Sequence, residues 1–128
     1  MRLLLDTHSL LWWVDDDPQL SPEARRQIGD EQSECYVSLI SAWEMSIKAA
    51  TGKLKLAVSV ARYFHENLTP NDFKLLPIAL DHVTRVETLP FHHRDPFDHL
   101  LIAQAWQEGL TLVSADRIFD AYEVTRVW

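Results

Sequence analysis

With a single cysteine, Cys35, the chain can form neither an internal disulfide nor a thiolate metal cluster, so any metal it binds is held by oxygen or imidazole. Cys35 falls in a predicted strand and reads as a core residue. Glycine is almost as scarce. The three glycines, Gly29, Gly52 and Gly109, stand at breaks or helix ends and leave no Gly-rich loop to cradle a phosphate. No apolar run approaches the ~20 residues of a membrane helix. The N-terminus reaches its first acid, Asp6, without a basic region or a small-residue cleavage site. These features predict a cytoplasmic protein with no membrane contact. No Ser-His-Asp or Cys-His spacing suggests a covalent nucleophile.

Positive charge is also in deficit. Twelve Lys and Arg stand against 19 Asp and Glu, for a net charge of −7. That is the wrong sign for a protein that grips a polyanion through a basic surface. Clustered carboxylates would contribute part of this charge themselves, however, and a divalent cation bound among them inverts the field that a polyanion meets.

What is present is a 128-residue chain, 47% hydrophobic, which predicts a single domain over 1–128 that buries about two-thirds of its unfolded surface. The aliphatic run Leu3-Leu4-Leu5 reads as a buried strand ending on Asp6, and His8 to Val14 as a helix apolar nearly all round. Ser21 and Pro22 supply a cap and first helical position for a helix to about Asp30. Cys35 to Ile40 is β-rich, and Ser41-Ala42-Trp43-Glu44 opens a helix to about Thr51. A weaker helical pattern runs from Leu56 to Asn67. Phe73 to Ile78 is a strand whose Pro77 places it near an edge, and Leu80 to Leu89 is a helix. After the link Pro90 to Arg94, a long helix opens at Asp95-Pro96-Phe97-Asp98 and runs to Glu108, stopped by Gly109. A strand from Leu110 to Val113, a short helix from Arg117 to Tyr122 and a last strand from Val124 to Trp128 complete the chain. Strands separated by helices predict a three-layer α/β/α sandwich around a mostly parallel sheet of about five strands.

In such a sheet four acids fall along one edge, at the carboxyl ends of the strands. Asp6 and Asp116 directly follow strands, while Glu44 and Asp98 lie in the first turns of helices. Each taken singly has a capping explanation: Ser41-x-x-Glu44 has the form of a capping box, Asp95-Pro96-x-Asp98 supplies a cap and an acid in the first turn, and Asp116 can cap the helix after it. Taken together they describe an all-oxygen site for a hard cation, magnesium (Mg2+) or manganese (Mn2+).

Leu5-Asp6-Thr7-His8 with Trp12, Ser41-x-x-Glu44-x-x-x-Lys48 with Gly52-Lys53-Leu54, His93-Arg94-Asp95-Pro96-Phe97-Asp98 with Ala103-Gln104-Ala105, and Leu112-Val113-Ser114-x-Asp116 occur in this order. In them the chain resembles PIN-domain proteins, more closely the VapC toxins of bacterial type II toxin–antitoxin systems, from Met1 to Trp128. The resemblance implies a PIN-like fold and a magnesium- or manganese-dependent endoribonuclease, usually a homodimer held inactive by a cognate antitoxin protein. Asp6, Glu44 and Asp98 match the family's three acids and Asp116 its more variable fourth, as catalytic and metal-ligating residues. Ser114 matches a supporting hydroxyl beside them.

With that ligand set, water is the nucleophile toward an RNA phosphodiester, activated by one or two ions. His92 and His93 could reach the phosphate or a leaving group, although adjacent histidines in a polar link are ordinarily solvated, and His8 and His99 could orient the acids. Trp12, Trp13, Trp43 and Trp106 read as core or interface, and the all-apolar helix around Trp12-Trp13 calls for a second surface, a dimer or antitoxin contact. Lys48, Lys53 and Lys55 could guide RNA or meet the antitoxin, with a solvated face as the default. The rival reading is a non-catalytic PIN-like binding module whose acids only cap helices. A haloacid-dehalogenase-type site fits less well, since it would place a second Asp where His8 stands.

Overall fold

The structure, a computed structural model, describes residues 1–128. Five parallel strands, β1 (Arg2–Leu5), β2 (Glu34–Ser38), β3 (Phe73–Leu76), β4 (Thr111–Val113) and β5 (Arg126–Val127), form one sheet in the order β3-β2-β1-β4-β5. Six helices cover it: α1 (Thr7–Val14), α2 (Pro22–Gly29), α3 (Leu39–Ala50), α4 (Val60–Asn67), α5 (Leu80–Arg85) and α6 (Pro96–Glu108). The predicted α/β/α sandwich is the observed one.

The sheet is double-faced because its strands are apolar on both sides. In β1 Leu3 and Leu5 enter one core with Cys35, Val37 and Val113, while Leu4 enters the other with Leu112. This is the period-two alternation of a strand buried on both faces. The first core is closed by α1, α2 and α4 through Leu10, Ala24, Ile28 and Tyr63, and the second by α6 through Leu101, Ile102 and Ala105. Leu3, Leu4 and Leu5 are fully buried, so truncating one to alanine would cost about 2–5 kcal/mol.

The chain fills the β1 side toward β3 first and then crosses to β4, so the winding reverses between β1 and β4. In open parallel sheets the crevice outside the carboxyl ends at such a reversal is where ligands bind. Asp6 follows β1, Ser114 follows β4, and the Asp6 amide donates to the Val113 carbonyl at 3.1 Å. The reversal therefore holds the first and last acids of the chain's carboxyl edge side by side.

Several boundaries differ from those expected of the sequence. The second strand ends at Ser38 and α3 begins at Leu39, because the Ser38 hydroxyl accepts from the Ile40 amide and caps the helix. Ser41 is therefore a buried residue inside α3, not its cap, and Glu44 lies a turn deeper than expected. The predicted helix over Leu56 to Asn67 is confined to α4, whose cap is Ser59. That over Leu80 to Leu89 becomes α5 and a 3-10 turn, Val86–Thr88. Residues Arg117–Ala121 form a 3-10 helix capped by Asp116. At the end of α6, Gly109 takes φ +65° and lets the Leu110 amide turn back to the Ala105 carbonyl.

Part of the surface expected over α1 is supplied by the chain itself, and Leu11 to Val14 remain partly exposed. Trp13 packs on Phe73 and donates to the Asn71 side chain at 3.0 Å, and Trp12 lies against Trp128. The exposed large apolar side chains are Met1 before β1, Leu39, Trp43 and Ile47 on α3, Leu75 on β3, Leu80 and Val83 on α5, and Phe91 in the link. No helix is long and apolar enough to cross a membrane.

Candidate active site

At the carboxyl edge of the sheet a cavity of about 140 Å³ opens between α1, α3 and α6, and Asp6, Glu44, Asp98 and Asp116 all line it. Four separate segments deliver these acids. Asp6 comes from the end of β1, Glu44 from the second turn of α3, Asp98 from the first turn of α6, and Asp116 from the turn after β4. Each is held by donors of its own chain. No three acidic or histidine side chains are drawn to the spacing of one ion's ligands.

Asp6 is the deepest. One of its oxygens accepts the Ser9 amide at 2.9 Å, so the residue ending the central strand also caps α1. Burial pushes its carboxyl above the ordinary range, against the opposing pull of hydrogen bonds from Ser114 and Ser9 and of nearby His8. Ser114 is fully buried, and its oxygen accepts the Asp116 amide at 3.1 Å. Its hydroxyl thereby holds the turn that carries Asp116.

Glu44 is gripped from two sides. The Thr7 hydroxyl donates to its Oε1 at 2.7 Å and Lys48 to its Oε2 at 2.8 Å. The Thr7 and Ser41 oxygens are 3.0 Å apart. A carboxylate only accepts and Thr7 has one proton, so the donation runs from Ser41 to Thr7 to Glu44. Lys48, whose default reading is a solvated face, is the one lysine in the cavity wall and is paired with Glu44.

Of the neighbouring acids in α6, Asp95 caps the helix, accepting from the Phe97 and Asp98 amides at 2.9 and 3.2 Å. Asp98 is free of capping and accepts from His93 Nε2 at 3.0 Å. Burial pushes its carboxyl up to about 6, with the His93 hydrogen bond pulling down and the charges of Asp95 and Asp116 adding to the rise. His93 is thus not a solvated residue of a polar link, whereas His92 is exposed. His99 is buried and donates to the His93 carbonyl at 2.8 Å. Asp116 sits exposed at the rim and accepts the Ile118 amide at 3.0 Å, which makes it a cap as well.

Capping therefore accounts for Asp6, Asp95 and Asp116 but not for Glu44 or Asp98. Nothing in an isolated motif pointed to Thr7, although it stands between Asp6 and His8, nor to Tyr122, whose hydroxyl meets His93.

The donors facing the cavity are carboxylate and hydroxyl oxygens, the hard set that suits magnesium or manganese. Burial lifts both Asp6 and Asp98, so their ionised forms are short of compensating positive charge, and the nearby lysine is already taken by Glu44. The residues present fit a divalent cation.

Comparison with known proteins agrees with this architecture. The chain is 28% identical over 137 aligned residues to Ribonuclease VapC22 of Mycobacterium tuberculosis (strain ATCC 25618 / H37Rv), with 98% of each chain covered. Its fold matches the crystal structure of VapBC2 from Rickettsia felis bound to a promoter DNA fragment, with a TM-score of 0.73 at 14% identity over 98% of this chain and 97% of that one. It also matches VapBC-1 from nontypeable Haemophilus influenzae, at a TM-score of 0.63 and 17% identity over 98% and 96% of the two chains. FitAcB from Neisseria gonorrhoeae matches at 0.59 and 21% over 97% and 95%. The family model for the PIN domain spans residues 3–124, nearly the whole chain, and with its sheet order and acid-lined edge this protein belongs to the PIN-domain family.

Proposed function

We propose that this chain is a magnesium- or manganese-dependent endoribonuclease, hydrolysing RNA phosphodiesters as the toxin of a type II toxin–antitoxin pair. The observation that carries the reading is the convergence of Asp6, Glu44, Asp98 and Asp116 from four segments on one cavity. Its similarity to a relative named as a ribonuclease supports RNA as the substrate class.

In this reading the four carboxylates hold the metal, and Ser114 supports Asp6 and Asp116. A bound ion supplies Lewis acidity, lowering the pKa of water and offsetting negative charge on the phosphate under attack. The chain's own residues do the positioning. Thr7 and Lys48 fix both oxygens of Glu44, the Ser9 amide fixes Asp6, and His93 fixes Asp98, so these carboxylates are preorganised before substrate arrives. The net charge of −7 ceases to oppose RNA binding where positive charge enters the cavity.

An antitoxin partner is supported by the neighbouring folds, which come from VapBC and FitAB complexes. It is also supported by a groove of about 480 Å³ between α3, α4 and β3, lined by Leu39, Ala42, Val60, Phe64, Leu68 and Leu75. A homodimer is supported by the exposed apolar residues of α3 and α5. The rival reading of a non-catalytic module with capping acids leaves Glu44 to its pairing with Lys48 and Asp98 to the helix dipole, since neither caps a helix, and it does not explain why they meet in one cavity.

The test is RNA cleavage by the purified chain with magnesium, with manganese and in chelator, beside the Asp98→Asn variant. Cleavage that needs either ion and is lost in the variant is the expected result. Cleavage undiminished in chelator, from a preparation free of other nucleases, would refute the metal-dependent mechanism.

A further inference from the structure

Tyr122 lies 24 positions beyond Asp98 in sequence, yet its hydroxyl is 2.8 Å from His93 Nδ1, while His93 Nε2 is 3.0 Å from Asp98 Oδ2. The same phenolic oxygen accepts the His92 amide at 3.0 Å. These contacts determine where the protons sit. The carboxylate of Asp98 can only accept, so Nε2 carries hydrogen and donates. In the neutral imidazole Nδ1 is then an acceptor, and its proton comes from Tyr122. The phenol thus accepts from His92 and donates to His93, with both its roles filled.

We propose that Tyr122 is a positioning residue for the metal-binding cavity, acting through His93 to set the orientation of the Asp98 carboxylate. The inference rests on the metal-dependent function proposed for the cavity. Its physical basis is the orientation of the ring, because Tyr122 and Asp98 hold opposite nitrogens of one imidazole. Without the Tyr122 hydroxyl, Asp98 still keeps the hydrogen on Nε2, but nothing holds the Nδ1 side of the ring. The imidazole is then free to turn, and the hydrogen bond that orients the Asp98 carboxylate loosens.

Three further contacts make this a built device. Tyr122 is 4% exposed, so water does not replace its hydroxyl. His99, also buried, donates to the His93 carbonyl and stacks on Phe91 at 4.3 Å, holding the link on both sides of the imidazole. The 3-10 helix that ends at Tyr122 begins at Asp116, and the Tyr122 amide closes it onto the Phe119 carbonyl at 3.1 Å. Asp116 and Asp98 are therefore joined through Tyr122 and His93.

The experiment compares the parent, Tyr122→Phe, His93→Gln and the double variant. Phenylalanine keeps the packing and removes only the hydroxyl. Glutamine keeps an N–H able to reach Asp98 and needs no proton from Tyr122. Long-range 1H–15N NMR of the metal-free chain should show His93 as the Nε2–H tautomer in both proteins, with the Nε2 proton protected in the parent and broadened by exchange with water in Tyr122→Phe. Magnesium affinity by calorimetry should fall roughly 10–100-fold in Tyr122→Phe, the range for partners that orient metal ligands. In the His93→Gln background the same change should alter affinity less than about twofold, as expected when the two residues act in series. A Tyr122→Phe protein that melts lower but keeps both the protected Nε2 proton and the affinity overturns the proposal, since a purely structural hydroxyl does that. If the parent binds no magnesium, the metal reading of the cavity falls, and the comparison of the Nε2 proton alone upholds or overturns the role of Tyr122.

Discussion

The Thr7 hydroxyl donates to Glu44 Oε1 at 2.7 Å, so the residue next to Asp6 holds a carboxylate from another helix. Thr7 opens α1 immediately after the central strand, and Glu44 lies in α3. The contact ties two of the cavity's acids to a single point of the backbone, and it exists because Asp6 caps α1 and so fixes where Thr7 begins.

Replacing Thr7 by valine keeps the shape of the side chain and removes the donor. The Glu44 carboxylate then keeps Lys48 alone, and the buried Ser41 hydroxyl loses its acceptor. Stability should fall by about 1.5–3 kcal/mol, the range for a hydrogen bond to a charged group, and cleavage should fall while Thr7→Ser retains most of both. Urea denaturation beside an RNA cleavage assay measures this, and a fully active, equally stable valine variant would remove Thr7 from the site.

Asp6 and Asp98 should separate when each is replaced by alanine. Asp6 caps α1, so Asp6→Ala loses a cap worth roughly 0.5–2 kcal/mol, whereas Asp98 caps nothing and its removal relieves repulsion from Asp95 and Asp116. In chelator, Asp98→Ala should be at least as stable as the parent and Asp6→Ala less so. Both should lose RNA cleavage and most of the rise in melting temperature that magnesium gives the parent by ligand linkage. Retained cleavage in both variants would mean that the acids do no chemistry.

The pH dependence comes from the direction of the Asp98 shift. Burial raises its carboxyl from 3.8 to about 6 in the folded chain. A raised folded value means that the fold binds this proton more tightly than the unfolded chain does. The resulting stabilisation is complete below pH 3.8 and is lost as the pH rises through about 6. In chelator, the stability of the parent relative to Asp98→Asn should therefore drop between about pH 4 and about pH 7. Groups such as Asp120, whose pairing with Arg126 lowers its carboxyl, act in the opposite sense but are common to both proteins and cancel in the difference. Urea midpoints across that range decide it, and a parent-to-variant difference that stays flat contradicts the burial account.

The exposed apolar side chains of α3 predict association. Leu39, Trp43 and Ile47 recur every four residues and share one face of the helix. The parent should scatter light at micromolar concentration as twice its 14.8 kDa mass, and Trp43→Glu should shift it toward the monomer without loss of helical circular dichroism. A monomeric parent would leave this face to another partner.

Much of this protein is determined locally and can be read from its sequence. The Leu3-Leu4-Leu5 run defines a strand buried on both faces, Pro22 starts a helix and Gly109 ends one, and parallel strands deliver the residues at their carboxyl ends to one edge. The placement of Asp6, Glu44 and Asp116 is a consequence of that rule, whereas Asp98 arrives on α6, which follows no strand. Where local signals conflict, tertiary structure decides. Cys35 to Ile40 reads as continuous strand by β propensity, yet the Ser38 hydroxyl takes the Ile40 amide and starts α3 early, turning Ser41 from the expected cap into a buried relay to Thr7. The apolar character of α1 calls for a covering surface, and Phe73 and Trp128, distant in sequence, supply part of it. The hydrogen bonds that orient the acids join residues 37 positions apart for Thr7 and Glu44 and 29 apart for His93 and Tyr122. No helical or strand period links such pairs. Only the winding of the sheet, with its reversal between β1 and β4, brings them within reach of one another.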